Sequence, residues 1–324
     1  MKKPANEIKV IPAWIRTDVH KGIIYVNVND PDGDIYRIGD LGKGKVPFPM
    51  IWRMENGFNE EGILLRRPLR FDPVSLRDCF PQEEGMGLLE DILLDGISCS
   101  TADRYFLVAW LIAIFLADFA FNRPLLKFSG STGSGKTTAA GIMSLLVTGK
   151  GLLNVHPPLG MYSASQRTPL IGVDSVGDMD SHVTKSLRAV TEKTLAVMAG
   201  MQSEVEITPK SLVIVTDVEP FTRPELLRRS FNVELSQRFK HPEFDEDTIV
   251  KHLLDTRNEI LTSILKVIAA DILPNLAEWS PMPFIDLMMV ILDNIWKYLS
   301  SPLEVAQIKE AWKEKQSNYQ KGAI

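Results

Sequence analysis

The chain has 324 residues, 45% of them hydrophobic, which is enough for a sizeable core in one large or two ordinary domains. Its formal charge of −5 excludes the overall basic footprint expected of a dedicated nucleic-acid-binding domain. The two cysteines, Cys79 and Cys99, match no zinc or redox spacing, so ordinary thiols in a reduced, cytoplasmic setting are expected.

The start, M-K-K-P-A-N-E-I-K, is polar and carries no secretory signal. Residues 1 to about 55 are expected to be rich in β-structure. Gly22–Val28 is a β-branched run, Asp30-Pro-Asp-Gly33 is a turn, and Ile35–Ile38 pairs back as a hairpin. Gly39–Pro49 reads as a loop before Met50–Arg53. This module either faces a substrate or partner or is a structural cap. Residues 56–100 form a polar connector in which Arg66, Arg67 and Arg70 are a basic cluster that reads as a solvated face rather than a phosphate contact. Leu88–Leu94 has helical period, and Ser100–Asp103 is a capping box for the apolar helix that follows. That helix contains Tyr105–Ala117, 13 residues without charge. A bilayer requires about 20, so the run is expected to be core and no membrane partner is expected.

Phe128–Ala140 reads F-S-G-S-T-G-S-G-K-T-T-A-A, and Gly130, Gly135, Lys136 and Thr137 fit the phosphate-loop pattern G-x-x-x-x-G-K-[ST]. Glycines let backbone N–H groups approach a polyphosphate with no Cβ between. Lys136 supplies a point charge at the β- and γ-phosphates, and the Thr137 hydroxyl is a ligand for Mg²⁺. The cradle is expected to comprise Gly130, Ser131, Thr132, Gly133, Ser134, Gly135, Lys136, Thr137 and Thr138. An apolar strand, Pro124–Phe128, precedes it and a helix, Thr137–Val147, follows, as the motif demands. ATP and Mg²⁺ are the expected ligands.

Beyond the loop, Gly149–Gly160 is punctuated by glycine and proline and expected at the surface. Leu170–Asp174 is a strand ending in an acid, flawed by Gly172, and Asp174 is the expected second magnesium ligand. Val183–Gly200 reads as helix, Ser211–Asp217 as a third strand ending in Thr216 and Asp217, and Phe231–Leu235 as a fourth. Strands alternating with helices predict a parallel α/β sheet, with Gly130, Asp174 and Thr216–Asp217 converging at its carboxyl edge. Three helical stretches close the chain: Glu246–Ala270, Pro283–Leu299 and Leu303–Lys315, the last with a solvated, charge-laced face.

The order of phosphate loop, acid-ended strand, polar-ended strand, short helix closing in arginine, strand and helical tail resembles the AAA+ and superfamily 3 helicase plan. More narrowly, the chain resembles the helicase-like P-loop ATPases of phages and mobile elements that accompany primase-polymerases. The likeness spans residues 20 to 300. It rests on I-I-Y-V-N-V-N-D-P-D-G-D, R-P-L-L-K-F-S-G-S-T-G-S-G-K-T-T, P-L-I-G-V-D-S, F-T-R-P-E-L-L-R-R-S-F-N-V-E-L and T-R-N-E-I-L-T-S-I-L.

The resemblance implies a P-loop NTPase core, an AAA+/RecA-like parallel sheet flanked by helices, over residues 99–240. A β-rich module over 1–98 and a helical lid over 241–324 complete it. It implies that Asp174 holds magnesium, that Asp217 sits at the sensor position, and that Arg229 is an arginine finger, with Arg228 beside it. Such a finger completes a neighbouring subunit's site and so implies a homo-oligomeric ring, a hexamer. Two departures stand out. Ser175 follows Asp174 where glutamate is common, leaving Asp178, Asp180 and Glu192 as nearby acids for positioning water, and the sensor strand ends in Thr-Asp rather than asparagine. The expected function is a Mg-dependent ATPase, a helicase-like motor on single-stranded nucleic acid in phage or mobile-element DNA replication, with any primase or polymerase on a separate subunit or on a part of the protein outside this sequence. The alternative is an ATP-gated assembly switch that recruits a protein partner. A small-molecule kinase fits less well, since no basic lid is visible.

Overall fold

The structure, a computed structural model, describes residues 8–39, 50–76, 81–155, 159–174, 181–193, 196–197, 206–207, 209–218, 221, 223–227, 229–236, 245–276, 280–300 and 303–321. The β-branched runs near the amino terminus form an antiparallel meander of β2 (Ile15–Asp18), β3 (Ile23–Val26), β4 (Ile35–Gly39) and β5 (Met50–Met54). Beside it, β1 (Lys9–Ile11) pairs in parallel with β6 (Ile63–Leu65). The turn between β3 and β4 closes as its sequence demands, with Gly33 at φ +82° and the Asp32 N–H donating to Asp30 Oδ1 at 3.0 Å. Arg53 on β5 clamps this turn, reaching Asp30 at 2.6 Å, Asp34 at 2.9 Å, and Asp32. Burial would push the Asp30 carboxyl up, but donors from Tyr36, the Asp32 amide and Arg53 outweigh it and hold it below its ordinary value.

The second sheet is wholly parallel. Its order is β12 (Ser230–Glu234), β7 (Leu125–Ser129), β11 (Leu212–Thr216), β8 (Leu170–Asp174). Alternation along these strands feeds two layers of helix. One face, with Leu126, Phe128, Ile214 and Val233, packs on α2 (Thr101–Leu116), α3 (Lys136–Thr148), α7 (Glu246–Val267) and α8 (Phe284–Ile295). The other, with Leu125, Ile171, Val173, Val213 and Val215, packs on α4 (Leu159–Ser165), α5 (Ser181–Thr191) and α6 (Pro224–Leu227).

The apolar helix α2 is buried from Tyr105 to Leu116, and its first turn is capped by Ser100 Oγ accepting from the Asp103 N–H at 3.1 Å. Among the described residues no helix is long and apolar enough to cross a membrane. The meander shares this core: Trp14 meets Phe115 edge to face at 6.0 Å between centroids, and Ile24, Val26 and Ile38 join the same cluster. Helix α9 (Val305–Lys321) seals the far side of α2, its Trp312 Nε1 donating to the Ala102 carbonyl at 2.8 Å.

Two stretches differ from expectation. The helix expected over Val183–Gly200 ends at Thr191, because Lys193 adopts φ +53° and its N–H turns back to the Val190 carbonyl. A short antiparallel pair follows, β9 (Ala196–Val197) with β10 (Glu206–Ile207). Residues 153–155 lie at the surface, exposed to half-buried, as expected, but they also join the edge of β8 through a parallel bridge between Asn154 and Gly172 that the sequence does not signal. The Val155 N–H reaches the Gly172 carbonyl, and the Gly172 N–H reaches the Leu153 carbonyl, both at 2.9 Å. That explains Gly172. A Cβ there would lie 2.3 Å from Asn154 Oδ1 and 2.4 Å from Leu152.

Helix α7 lies close against α1 (Gln82–Gly96), and Gly85 permits the approach: a Cβ would sit 2.1 Å from Ser263 Oγ and 2.8 Å from the Glu259 carbonyl. Gly87, two residues on, has nothing within 4 Å. Gly85→Ala should therefore destabilise the fold by about 2 kcal/mol through overpacking. Gly87→Ala should stabilise it by up to about 1 kcal/mol through helix propensity. Chemical denaturation of the two variants checks this contrast.

Candidate functional site at the carboxyl edge of the parallel sheet

Strand β7 ends at Ser129, and the next residues turn back over its end to start α3. Three glycines make this turn, with Gly130, Gly133 and Gly135 at φ +146°, +82° and +88°. At Gly130 the requirement is also steric, since a Cβ would lie 2.7 Å from both the Leu235 carbonyl and Ser134 Oγ. Ser134 is buried, and its hydroxyl has no hydrogen-bond partner among the described residues. Lys136 folds back over the loop, its ammonium donating to the carbonyls of Gly130 at 2.8 Å and Ser131 at 2.9 Å. Ser131, Thr132, Gly133 and Thr137 are exposed around it. Thr138 faces away toward α7 and donates to Glu246 Oε2 at 3.4 Å.

Parallel register brings the acid to the same edge. Thr216 of β11 pairs with Phe128 of β7 on one side and with Asp174 of β8 on the other. Asp174 thus lies two strand spacings, about 10 Å, from the end of β7. Its Oδ1 accepts a hydrogen bond from Thr216 Oγ1. The residue after Thr216 turns elsewhere: Asp217 Oδ1 accepts from the Val218 N–H, and Oδ2 lies 3.7 Å from the Lys127 ammonium. The polar group at the end of β11 that meets Asp174 is therefore Thr216. Among the described residues no three His, Cys, Asp or Glu side chains cluster as a metal site.

Arg229 lies at the opposite edge. Its carbonyl accepts from the Leu125 N–H at the start of β7, and Ser230 pairs with Leu125. Five residues of strand, about 16 Å, separate it from the glycine loop of its own chain. Its guanidinium is held by Glu192 through both Nε, at 3.1 Å, and Nη2. Glu192 is thereby placed at the amino edge, away from Asp174. Burial would raise its carboxyl, but Arg229 and Arg188 hold it below the ordinary range. Arg228, Ser175, Asp178 and Asp180 lie outside the described residues. Arg66, Arg67 and Arg70 are exposed, as expected.

A second charged group at the amino edge was not anticipated. Asp118 accepts from Arg123 Nη2 at 2.6 Å and from Lys210 at 2.8 Å, while Lys193 donates to the neighbouring Ala120 carbonyl. Burial would push the Asp118 carboxyl up, but Lys210 and Arg123 outweigh it and hold it far below the ordinary range. Burial, then Arg123, lower Lys193 to about 8. The pair β9–β10 springs from between Lys193 and Lys210, so one end of that excursion is held by the Ala120 carbonyl and the other by Asp118. The charges were legible in the sequence, but their assembly from three separate segments was not.

No protein-family model and no curated protein matches the chain. Solved structures similar to it include the apo NrS-1 C-terminal region, at 14% identity and TM-score 0.44 over 80% of this chain and 68% of that one. A second form of that region matches at 11% identity and TM-score 0.45, covering 96% of this chain and 87% of that one. SCCmec type IV Cch, an active helicase, matches at 14% identity and TM-score 0.47 over 90% of this chain. The chain spans 60% of the Cch structure's length. Likenesses this distant assign no function.

Asp118→Asn should lower stability by about 3 kcal/mol at neutral pH, because it leaves buried cations uncompensated. The folded-state shift of Asp118 is downward, so its contribution is present above about pH 4 and is lost as pH falls below that value. The gap between variant and parent, measured by denaturant unfolding at several pH values, should therefore narrow in acid.

Proposed function

We propose that the chain is a Mg-dependent ATPase that works as an oligomeric, helicase-like motor on single-stranded nucleic acid. The observation that carries the ATPase reading is the convergence at one sheet edge of the glycine loop, the Lys136 ammonium, Asp174 and Thr216. The residues fit a polyphosphate. Gly130 and Gly135 leave a cradle that a Cβ would fill or strain, the Ser134 hydroxyl lacks a partner among the described residues, and the ammonium rests on loop carbonyls until an anion competes for it.

In this reading the loop from Gly130 to Thr138 binds the phosphates, with Lys136 shifting from the carbonyls of Gly130 and Ser131 to the anion. Thr137 and Asp174 would hold magnesium, whose oxygen-loving chemistry suits a hydroxyl and one carboxylate. Bound there, the ion supplies neutralisation of phosphate charge. Thr216, donating to one oxygen of Asp174, fixes that carboxylate's orientation and serves at the sensor position with Asp217 behind it. Residues 99–240 form the ATPase core, 1–98 the β-rich module and 241–324 the helical lid.

The oligomer is supported by Arg229, which lies a strand's length from its own loop. It acts on the phosphate site of a second copy, once released from Glu192, where its charge stabilises the transition state. A ring follows if that head-to-tail contact closes, and six copies rest on the sequence resemblance. The nucleic-acid client rests on the order of motifs in the sequence, as does a separate primase or polymerase partner.

Steady-state hydrolysis with and without single-stranded DNA tests the reading. Lys136→Ala should abolish Mg-ATP turnover, and Arg229→Ala should keep nucleotide binding while losing about a hundredfold or more in turnover. Strand-dependent stimulation is expected of the motor. Turnover indifferent to single strands would replace the motor with an assembly switch, and normal turnover by Arg229→Ala would remove the finger.

A further inference from the structure

The strand that delivers the glycine loop carries a charge where its neighbours are apolar. Lys127 is the third residue of β7, and its side chain is 1% exposed. Alternation puts it on the same face as Leu125, opposite Leu126 and Phe128. Taking an ammonium out of water is expensive, and an apolar residue of similar size at such a site is commonly neutral or stabilising. Lys127 therefore needs an explanation other than stability.

Its surroundings supply one. The ammonium lies 3.7 Å from Asp217 Oδ2 and 4.0 Å from the centre of the Phe221 ring. Both belong to the stretch that leaves the end of β11 and leads through α6 to Arg229. The same stretch is stitched to β7 by backbone bonds, the Asp217 N–H to the Phe128 carbonyl at 3.1 Å and the Gly130 N–H to the Val218 carbonyl at 3.4 Å. Thus the segment that follows Thr216 is fixed directly beneath the first glycine of the loop.

We infer that Lys127 is a positioning residue that acts through Asp217, tying Asp217, Val218 and Phe221 to the loop strand. The tie keeps the Thr216 hydroxyl on Asp174 and makes the start of the path to Arg229 move with the loop. A change at the phosphates is thereby passed toward the amino edge. This rests on the ATPase reading for its consequence, but the tie itself is a property of the fold.

Two readouts test it. Hydrogen exchange needs no activity: Lys127→Met should speed exchange of the amides of 212–218 and 223–227 by about tenfold while leaving α2 unchanged. In turnover, Lys127→Met should lower kcat by about tenfold with KM for Mg-ATP within about twofold, and Lys127→Met/Asp217→Asn should be no slower than Asp217→Asn alone. A general loss of structure would not give that split or that non-additivity. Should Lys127→Met fail to fold, Asp217→Asn keeps the ammonium and carries the exchange test alone. Unchanged exchange in the segment, or losses that multiply in the double variant, would overturn the inference. If the parent chain does not hydrolyse ATP, the ATPase reading fails while the exchange result still decides the tie.

Discussion

The parallel pairing of β11 between β7 and β8 is the constraint on which the rest depends. Because Thr216 is in register with Phe128 on one side and Asp174 on the other, a glycine loop and an acid from distant parts of the chain end at one edge. A slip of one residue would turn every side chain of β11 to the other face. Ile214 would then leave the large core cluster, and Val213 and Val215 the smaller one. Burial on both faces therefore sets the register, and the register sets the site.

The two edges of this sheet do different work. The carboxyl edge is glycine-rich and partly open, with a cation resting on backbone carbonyls. The amino edge is a network of ion pairs, Arg229 with Glu192, and Asp118 with Arg123 and Lys210. In the proposed oligomer the amino edge of one copy meets the carboxyl edge of the next. The Glu192 pair must then open, so docking trades one carboxylate partner for phosphate charge. Lys127 lies between them, midway along β7.

Much of this was legible from residues 124–140, because a glycine loop needs those residue types at that spacing whatever surrounds it. The parallel sheet was legible too, from four apolar runs alternating with helices. Gly172 looked like a flaw because the close approach of Leu152 and Asn154 is a tertiary fact. Helical period continued past Thr191, and only the left-handed turn at Lys193 ended it. Thr216 and Asp217 both fall at the strand end in the sequence, but register decides which of two adjacent side chains meets Asp174. Lys127 did leave a signal, a lysine in the run L-L-K-F-S, but its partners sit 90 or more residues away.

The most direct measurement is nucleotide affinity with and without magnesium, by calorimetry, for the parent chain and for Asp174→Asn. If the sheet edge is the site described, magnesium should tighten ATP binding to the parent by about tenfold or more, and this gain should vanish in the variant. No binding to the parent, or an equal magnesium effect in both chains, would contradict the account.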